Sequence, residues 1–225
     1  MLQQSLQLFC DFDGTITVGD TVDQLLEALA SDEWRDVEAL WEEGEISTRD
    51  CMTRQIALIK GGWPAVEDVL RTVRVDSGFT SLVSWCRESC IPFSIVSDGL
   101  NRVIQWLLAR QNVRVDRIWA NRLHETESGQ LSLEFPVRSN RIVCSTGYCK
   151  CQILDLAGSA AYKVVIGDGR SDFCWAGSAD FVFAKGQLLR HCQEAGIVCE
   201  SYVTLDDVRR SLQVKFGNLS AYAVA

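Results

Sequence analysis

The stretch that decides the fold is a short apolar run that ends in paired aspartates, Leu8-Phe9-Cys10-Asp11-Phe12-Asp13-Gly14-Thr15-Ile16-Thr17. The run is apolar without alternation and stops at a turn signal, which predicts a buried strand. Asp11 and Asp13 would share one face of a continuing strand, and Thr15 offers a hydroxyl donor beside them. Paired carboxylates next to donors suit magnesium-assisted phosphoryl transfer, in which one carboxylate attacks phosphorus. The plainer interpretation is a solvated turn at the end of a strand.

Two further apolar runs end in the same kinds of residue. Residues 91–96 precede Ser97-Asp98-Gly99, and residues 162–166 precede Gly167-Asp168-Gly169-Arg170-Ser171-Asp172. The carboxyl ends of the strands in an open parallel sheet border the ligand crevice. All three acidic clusters would therefore meet at one edge of the sheet, which makes three unrelated solvated turns the weaker interpretation.

These three motifs, together with Lys150, resemble the four motifs of haloacid dehalogenase superfamily phosphatases, in the same order and over most of the chain. The resemblance implies an α/β fold, with a Rossmann-like core of mainly parallel strands and a small helical cap inserted after the first strand. The alternation of strand and helix patterns also favours a mainly parallel sheet. Residues 18–75 have apolar residues at helical spacing and are the expected cap, so that 1–17 and 76–225 form the expected catalytic core.

The resemblance also implies the chemical roles of the paired aspartates. Asp11 would be the nucleophile that forms an aspartyl-phosphate. Asp13 would first protonate the leaving oxygen and then activate water, which requires an environment that raises its pKa. Dehalogenases and transport ATPases of the superfamily lack an aspartate at this second position, as the resemblance implies, so Asp13 favours ester hydrolysis.

Phosphate and metal ligands are expected from the same motifs. The groups expected to bind phosphate are Thr15, Ser97, the amides of Asp98 or Gly99, and Lys150. The expected Mg²⁺ ligands are Asp11, the backbone carbonyl of Asp13, Asp168, and Asp172 directly or through water. Mg²⁺ prefers few carboxylates, several waters and a phosphate oxygen, and this set of ligands fits that preference.

Lys163 is the alternative to Lys150 as the phosphate-binding cation. It lies five residues before Asp168, at the amino end of the third strand, which places it about 10–15 Å from the crevice. Lys150 opens a predicted helix over residues 148–156, whose first turn can point at an anion. The sequence therefore favours Lys150, and a solvated strand end is the expected place of Lys163.

Composition indicates one compact enzyme that acts on a small molecule. The chain has 225 residues, 47% of them hydrophobic, and a net charge of −8. This acidity argues against nucleic acid or an anionic membrane as a partner, and no apolar stretch reaches the length of a membrane span. The amino terminus lacks the features of a signal peptide, so a cytoplasmic location is expected. The sequence makes no prediction of oligomeric state.

The ten cysteines are expected to be reduced thiols, and several lie in apolar runs where cysteine packs as a small hydrophobic residue. Three of them, Cys144, Cys149 and Cys151, flank Lys150. Their spacing matches no common zinc motif, which leaves redox sensitivity near the site as the alternative to packing.

Substrate choice is expected to depend on the cap. The sequence resembles the phosphoserine-phosphatase branch, which implies that Asp20 binds a substrate amine and Arg54 a substrate carboxylate. The plainer interpretations are a helix N-cap for Asp20 and a solvated helix face for Arg54. Cys149-Lys150 and Asp172-Phe173-Cys174 add a resemblance to the MtnX group, which implies 2-hydroxy-3-keto-5-methylthiopentenyl-1-phosphate as the substrate.

Other functions stay open at this point. Phosphoserine is the second substrate, and phosphoethanolamine or phosphocholine the third, because Asp172-Phe173-Cys174 also resembles the phosphatases of those esters. An aromatic cap lining from Trp34 and Trp41 would suit a methylthio group, although such a pair also serves as core. A phosphotransferase would use the same chemistry, and a non-catalytic phosphometabolite sensor would keep the fold alone.

Overall fold

A computed structural model describes residues 5–136 and 146–216 of the chain, so Cys144 lies outside the described residues. Seven strands form one sheet in the order β4-β3-β2-β1-β5-β6-β7, and all neighbours are parallel except the antiparallel pair β3 and β4. The strands are β1 (Ser5–Cys10), β2 (Phe93–Leu100), β3 (Arg117–Glu125), β4 (Leu131–Glu134), β5 (Ala161–Gly167), β6 (Phe181–Ala184) and β7 (Cys199–Ser201). The predicted α/β class with a mainly parallel sheet is confirmed.

Helices connect most of these strands and cover both faces of the sheet. They are α1 (Thr21–Leu29), α2 (Glu33–Glu42), α3 (Thr48–Ala57), α4 (Gly62–Leu70), α5 (Phe79–Glu88), α6 (Asn101–Arg110), α7 (Lys150–Leu156), α8 (Phe173–Ala176), α9 (Gly186–Ala195) and α10 (Leu205–Phe216). A 3₁₀ turn, Arg170–Asp172, runs directly into α8. Across the described residues, no helix has both the length and the apolar character to cross a membrane.

The central strand β1 explains why its sequence is apolar without alternation. It pairs with β2 on one side and β5 on the other, and both of its faces are covered. Leu8 and Cys10 point into the larger apolar cluster, whereas Phe9 points into a smaller cluster on the opposite face. A strand buried on both faces requires apolar residues at successive positions, as observed.

The segment 18–75 folds into the four helices α1 to α4. Its two ends lie side by side, because Thr17 and Val75 form an antiparallel bridge and the Val18 amide donates to the Arg74 carbonyl at 2.9 Å. Leu25 of α1 and Val66 of α4 belong to the larger apolar cluster of the sheet. Helix α2 buries none of its side chains fully. Ile56 of α3 is also part of the larger apolar cluster. The segment is therefore joined to the main core through α1, α3 and α4.

The second strand is longer than the sequence indicates. Its apolar run was expected to end at Val96, but β2 continues through Ser97-Asp98-Gly99 to Leu100. Its pairing with β3 shifts in register between Val96 and Leu100, which marks a bulge. A bulge redirects side chains within a strand, so the polar turn of the motif is held inside the sheet.

Candidate active site

Asp11 and Lys150 form the centre of the crevice at the carboxyl edge of the sheet. The Asp11 amide donates to the Ile166 carbonyl at 2.9 Å, which extends the pairing of β1 with β5 by one residue. Lys150 is the first residue of α7 and is fully buried. Its Nζ lies 2.6 Å from Asp11 Oδ1 and 2.8 Å from Asp172 Oδ1. The structure thus brings Lys150 to the aspartates.

Lys163, the alternative cation, lies at the far end of β5. It pairs with Gln7 in the sheet register, and its amide donates to Asp180 Oδ2 at 2.7 Å. It is three residues before Ile166, the residue whose carbonyl meets Asp11, so it lies about 10 Å from the crevice, towards the amino end of β5.

The acidic cluster consists of Asp11, Asp168 and Asp172, whose nearest carboxylate oxygens all lie within 4.8 Å of one another. Asp172 Oδ2 accepts the amides of Asp168 at 3.0 Å and Gly169 at 3.1 Å, which fixes the turn after β5. The Thr15 hydroxyl, expected to bind phosphate, donates to Asp168 Oδ1 at 2.8 Å. Thr15 therefore orients a carboxylate of the cluster.

The acidic cluster can carry more negative charge than the single ammonium of Lys150 can neutralise. Burial, and next the charge of Asp172, raise the pKa of Asp11 well above its ordinary value, against the opposing effect of Lys150. Burial alone would lower the pKa of Lys150, but Asp11, Asp172 and Asp98 together raise it. One ammonium cannot neutralise three carboxylates. A divalent cation with oxygen ligands fits this set of donors in charge and in ligand type.

Asp13 lies beside the cluster and is held by residues at the start of the helical segment. Its Oδ1 accepts the Thr21 amide at 2.9 Å and the Thr21 hydroxyl at 2.6 Å, and its Oδ2 accepts the Ser97 hydroxyl at 3.4 Å. Burial and the nearby charge of Asp20 raise the pKa of Asp13 from 3.8 to about 7. A carboxyl group with such a pKa can both give and take a proton near neutral pH.

The turn Ser97-Asp98-Gly99 supplies the polar groups from β2. The Gly99 amide donates to Ser97 Oγ at 2.8 Å, and Ser97 is fully buried. The Asp98 carboxylate accepts the amides of Tyr148 and, at 3.3 Å, of Gly147. The sequence assigned only the Asp98 amide to this site, so this use of its carboxylate was missed.

Asp20 and Arg54, the two residues expected to bind substrate, lie in different surroundings. Asp20 caps α1, because its Oδ1 accepts the amides of Val22 at 2.7 Å and Asp23 at 3.2 Å. Arg54 is exposed on α3. The pKa of Asp50 is lowered first by its hydrogen bond with Ser47 and then, to a smaller extent, by the charge of Arg54. The plainer interpretation of Asp20 as an N-cap describes the observed bonds.

Sequence reasoning missed three residues that contact the site. Thr21 binds Asp13, the Trp175 ring lies 5.2 Å from Lys150 Nζ, and the Asn121 side chain donates to the Asp98 carbonyl at 2.5 Å. Asn121 was the most visible of these in the sequence. It is a fully buried polar residue within the strand predicted over residues 118–123, at a position where an apolar residue is expected.

The comparisons with known proteins agree with this geometry. A family model described as haloacid dehalogenase-like hydrolase matches residues 8–177. A 2-hydroxy-3-keto-5-methylthiopentenyl-1-phosphate phosphatase of Geobacillus kaustophilus (strain HTA426) is 32% identical over 220 residues, covering 94% of this chain and 97% of that protein. The bifunctional enzyme MtnB/MtnX of Bacillus licheniformis is 32% identical over 213 residues, covering 92% of this chain and 49% of that protein.

Solved structures show the same fold. A substrate-bound phosphoserine phosphatase complex aligns with a TM-score of 0.70 at 17% identity, covering 93% of this chain and 99% of that one. A haloacid dehalogenase family hydrolase from Salmonella enterica aligns with a TM-score of 0.72 at 18% identity. The chain therefore belongs to the haloacid dehalogenase-like hydrolase family, and within that family it is a phosphatase.

Proposed function

We propose that this protein is a Mg²⁺-dependent phosphomonoesterase that acts through an aspartyl-phosphate on Asp11, with 2-hydroxy-3-keto-5-methylthiopentenyl-1-phosphate as its substrate in methionine salvage. The observation that carries the chemistry is the Asp11 carboxylate, 2.6 Å from Lys150 Nζ and within 4.8 Å of the other two carboxylates of the acidic cluster. The substrate is supported by the two Geobacillus relatives of that name, which are 32% and 31% identical over 94% of this chain.

In the first half of the proposed reaction, a carboxylate oxygen of Asp11 attacks phosphorus. The new bond joins that oxygen to phosphorus, and the bond between phosphorus and the ester oxygen breaks. The departing oxygen takes the proton of Asp13, so the alcohol leaves neutral. Lys150 and the hydroxyl of Ser97 hold the phosphoryl oxygens in place.

In the second half, water hydrolyses the aspartyl-phosphate. Asp13, now ionised, accepts a proton from the water, which attacks phosphorus and releases inorganic phosphate and the Asp11 carboxylate. A cation held by the acidic cluster would supply positive charge to a phosphoryl oxygen. Thr15 and the amides of Asp168 and Gly169 keep the carboxylates of the cluster in position.

The helices of residues 18–75 are the proposed cap, and both the start of α1 and α3 meet the core near the site. Met52 of α3 lies so close to Gly147 that a Cβ there would be 2.8 Å from its sulfur. Trp41 donates to the Thr48 hydroxyl at 3.0 Å, and Trp34 packs against the larger apolar cluster. Apolar side chains that close over the crevice would exclude water while the aspartyl-phosphate forms.

The other parts of the proposal are a small-molecule partner and a cytoplasmic location. Ten cysteines in 225 residues suit a compartment that keeps thiols reduced.

The test is an assay of the purified protein with Mg²⁺ against five phosphate esters. These are the methylthiopentenyl phosphate generated in situ, phosphoserine, phosphoethanolamine, phosphocholine and p-nitrophenyl phosphate. We expect the first to have a kcat/KM above about 10⁴ M⁻¹s⁻¹ and to exceed the others at least tenfold. Asp11→Asn is expected to abolish turnover of every ester. A preference for phosphoserine would overturn the proposed substrate assignment, and an absence of turnover with every ester would overturn the proposed phosphomonoesterase activity.

A further inference from the structure

The carboxylate of Asp98 joins two segments that are distant in the sequence. Asp98 lies in the bulged end of β2, and its oxygens accept the amides of Tyr148 and Gly147, which are 50 and 49 residues further along the chain. Those two residues directly precede Cys149, the N-cap of α7. Asp98 therefore ties the phosphate-facing turn of one strand to the entry of the helix that begins with Lys150.

Asn121 holds Asp98 from the other side. Its Nδ2 donates to the Asp98 carbonyl at 2.5 Å, across the irregular pairing of β2 and β3. Asn121 is fully buried, and its Oδ1 has no hydrogen-bond partner among the described residues. An unpaired buried acceptor costs about 1–3 kcal/mol, so an apolar residue would suit the stability of this strand better. What the asparagine provides is the bond to Asp98.

The position of Lys150 depends on these contacts. The N-cap of α7 makes no side-chain capping bond to the first turn of the helix. Tyr148 is two residues before Lys150, and successive Cα atoms are about 3.8 Å apart. A displacement of the Tyr148 amide would therefore also displace the backbone of Lys150. The Lys150 ammonium must meet both Asp11 and Asp172 within a fully buried site.

We infer that Asp98 and Asn121 are positioning residues, which hold Lys150 where it binds the phosphoryl group by fixing the entry of α7. The inference rests on the proposed function, because it assigns Lys150 to the phosphate of that same site. Neither residue needs to touch the substrate for this role.

The direction in which Asp98→Asn changes the affinity for phosphate distinguishes a positioning role of Asp98 from an effect of its charge. Asp98→Asn keeps the shape of the side chain but removes one negative charge near the phosphate site. By charge alone, this change would tighten the binding of a dianion. By position, it would weaken binding, because the carboxamide NH₂ group faces one of the two backbone amides and cannot accept its hydrogen bond.

The experiment measures the affinity of the protein for inorganic phosphate by calorimetry with saturating Mg²⁺, and kcat and KM with p-nitrophenyl phosphate. We expect Asp98→Asn and Asn121→Leu each to weaken phosphate binding at least tenfold and to lower kcat/KM by about 10²-fold, since a misplacement of about 1 Å has that effect. The matched control is Asp116→Asn. The Asp116 carboxylate accepts the amide of Phe93 at 2.7 Å, and Phe93 is at the amino end of β2, the opposite end of the strand from Asp98. Asp116→Asn should therefore keep the wild-type affinity for phosphate.

A double-mutant cycle shows whether Asp98 acts through Lys150. In a Lys150→Met background, Asp98→Asn should change kcat/KM by less than about twofold, whereas independent effects would multiply. Tighter phosphate binding in Asp98→Asn, or multiplied effects in the double variant, would overturn the inference. Should Asp98→Asn not fold, Asn121→Leu decides by the same two readouts. A wild type that binds phosphate without turnover would overturn the proposed function only, and one that binds no phosphate would overturn both.

Discussion

Replacement of Gly167 by alanine tests how tightly the acidic cluster is built. Gly167 is the last residue of β5, and its backbone has a conformation that alanine can adopt, so no backbone strain is introduced. A Cβ at this position would lie 2.6 Å from Cγ and 3.1 Å from Oδ1 of Asp172. The nearest atom would be Asp172 Oδ2, and because ordinary contact begins at about 3.4 Å, the carboxyl group must move by about 1 Å.

Asp172 has little freedom to make this movement. It is fully buried, its Oδ1 lies 2.8 Å from Lys150 Nζ, and its Oδ2 accepts two backbone amides at 3.0 and 3.1 Å. Overpacking of such a site costs about 1–3 kcal/mol of stability. Because Asp172 holds Lys150 and the turn after β5, a shift of about 1 Å in its carboxyl group should lower kcat/KM by about 10²-fold. The Mg²⁺ concentration for half-maximal turnover should also rise at least tenfold.

The assay titrates Mg²⁺ against turnover of p-nitrophenyl phosphate, and urea unfolding reports the loss of stability. Gly177→Ala is the matched control, because that glycine has a φ of −70° and a Cβ there would meet no atom within 4 Å. We expect the control to keep wild-type Mg²⁺ dependence. If Gly167→Ala has the same Mg²⁺ dependence and turnover as Gly177→Ala, the acidic cluster is not the metal and phosphate site, and the reasoning is refuted.

Three further outcomes follow from the structure. Removal of divalent cations by a chelator should abolish turnover, and added Mg²⁺ should restore it, since Lys150 neutralises only one carboxylate of the acidic cluster; full turnover in the chelator would contradict this. Lys150→Met should lower the free energy of unfolding by about 3–5 kcal/mol in urea, because it leaves buried carboxylates without their cation; an unchanged unfolding midpoint would contradict it. Asp207→Ala should cost about 1 kcal/mol, because the Asp207 carboxylate accepts the Thr204 amide at 2.8 Å at the start of α10. The hydrogen bond from the Thr204 amide is the main reason why the pKa of Asp207 is lowered to about 2. The difference in free energy of unfolding between the wild type and Asp207→Ala should therefore be complete above about pH 4 and be lost as the pH falls towards 2. The exposed Val214→Ala of the same helix is the control, and a cost that persists at pH 2 would refute the assignment.

The sequence predicted the crevice because general rules of parallel sheets connect local patterns to distant positions. Apolar runs marked β1, β2 and β5, and the carboxyl ends of parallel strands meet at one edge. That rule was sufficient to bring Asp11, Asp168 and Asp172 together, as observed. The direction of a strand was also sufficient to separate Lys150 from Lys163, since only one of them could lie at the crevice.

Other features depend on contacts that no local pattern contains. The amides that donate to the Asp98 carboxylate are about 50 residues further along the chain, so no local sequence pattern indicates this contact. Thr15 had two competing acceptors in principle, a phosphate or a carboxylate, and only the fold shows that Asp168 lies 2.8 Å from it. Helical periodicity placed α1 and α4 in the segment 18–75 but did not show that both pack into the core of the sheet.

The acidity of the chain is compatible with the proposed phosphate-ester substrate, because the field at the site is local. At physiological ionic strength, exposed charges are screened over about 8 Å, so most of the net charge of −8 acts weakly at the crevice. The site itself holds a fully buried ammonium on Lys150, the hydroxyl of Ser97, and the carboxylates of Asp13, Asp98 and the acidic cluster. In the proposed function, a divalent cation and Lys150 together would offset the charge of the three carboxylates of the acidic cluster. Some of the acids that make the chain negative would thus also be the ligands of the cation that the proposed reaction requires.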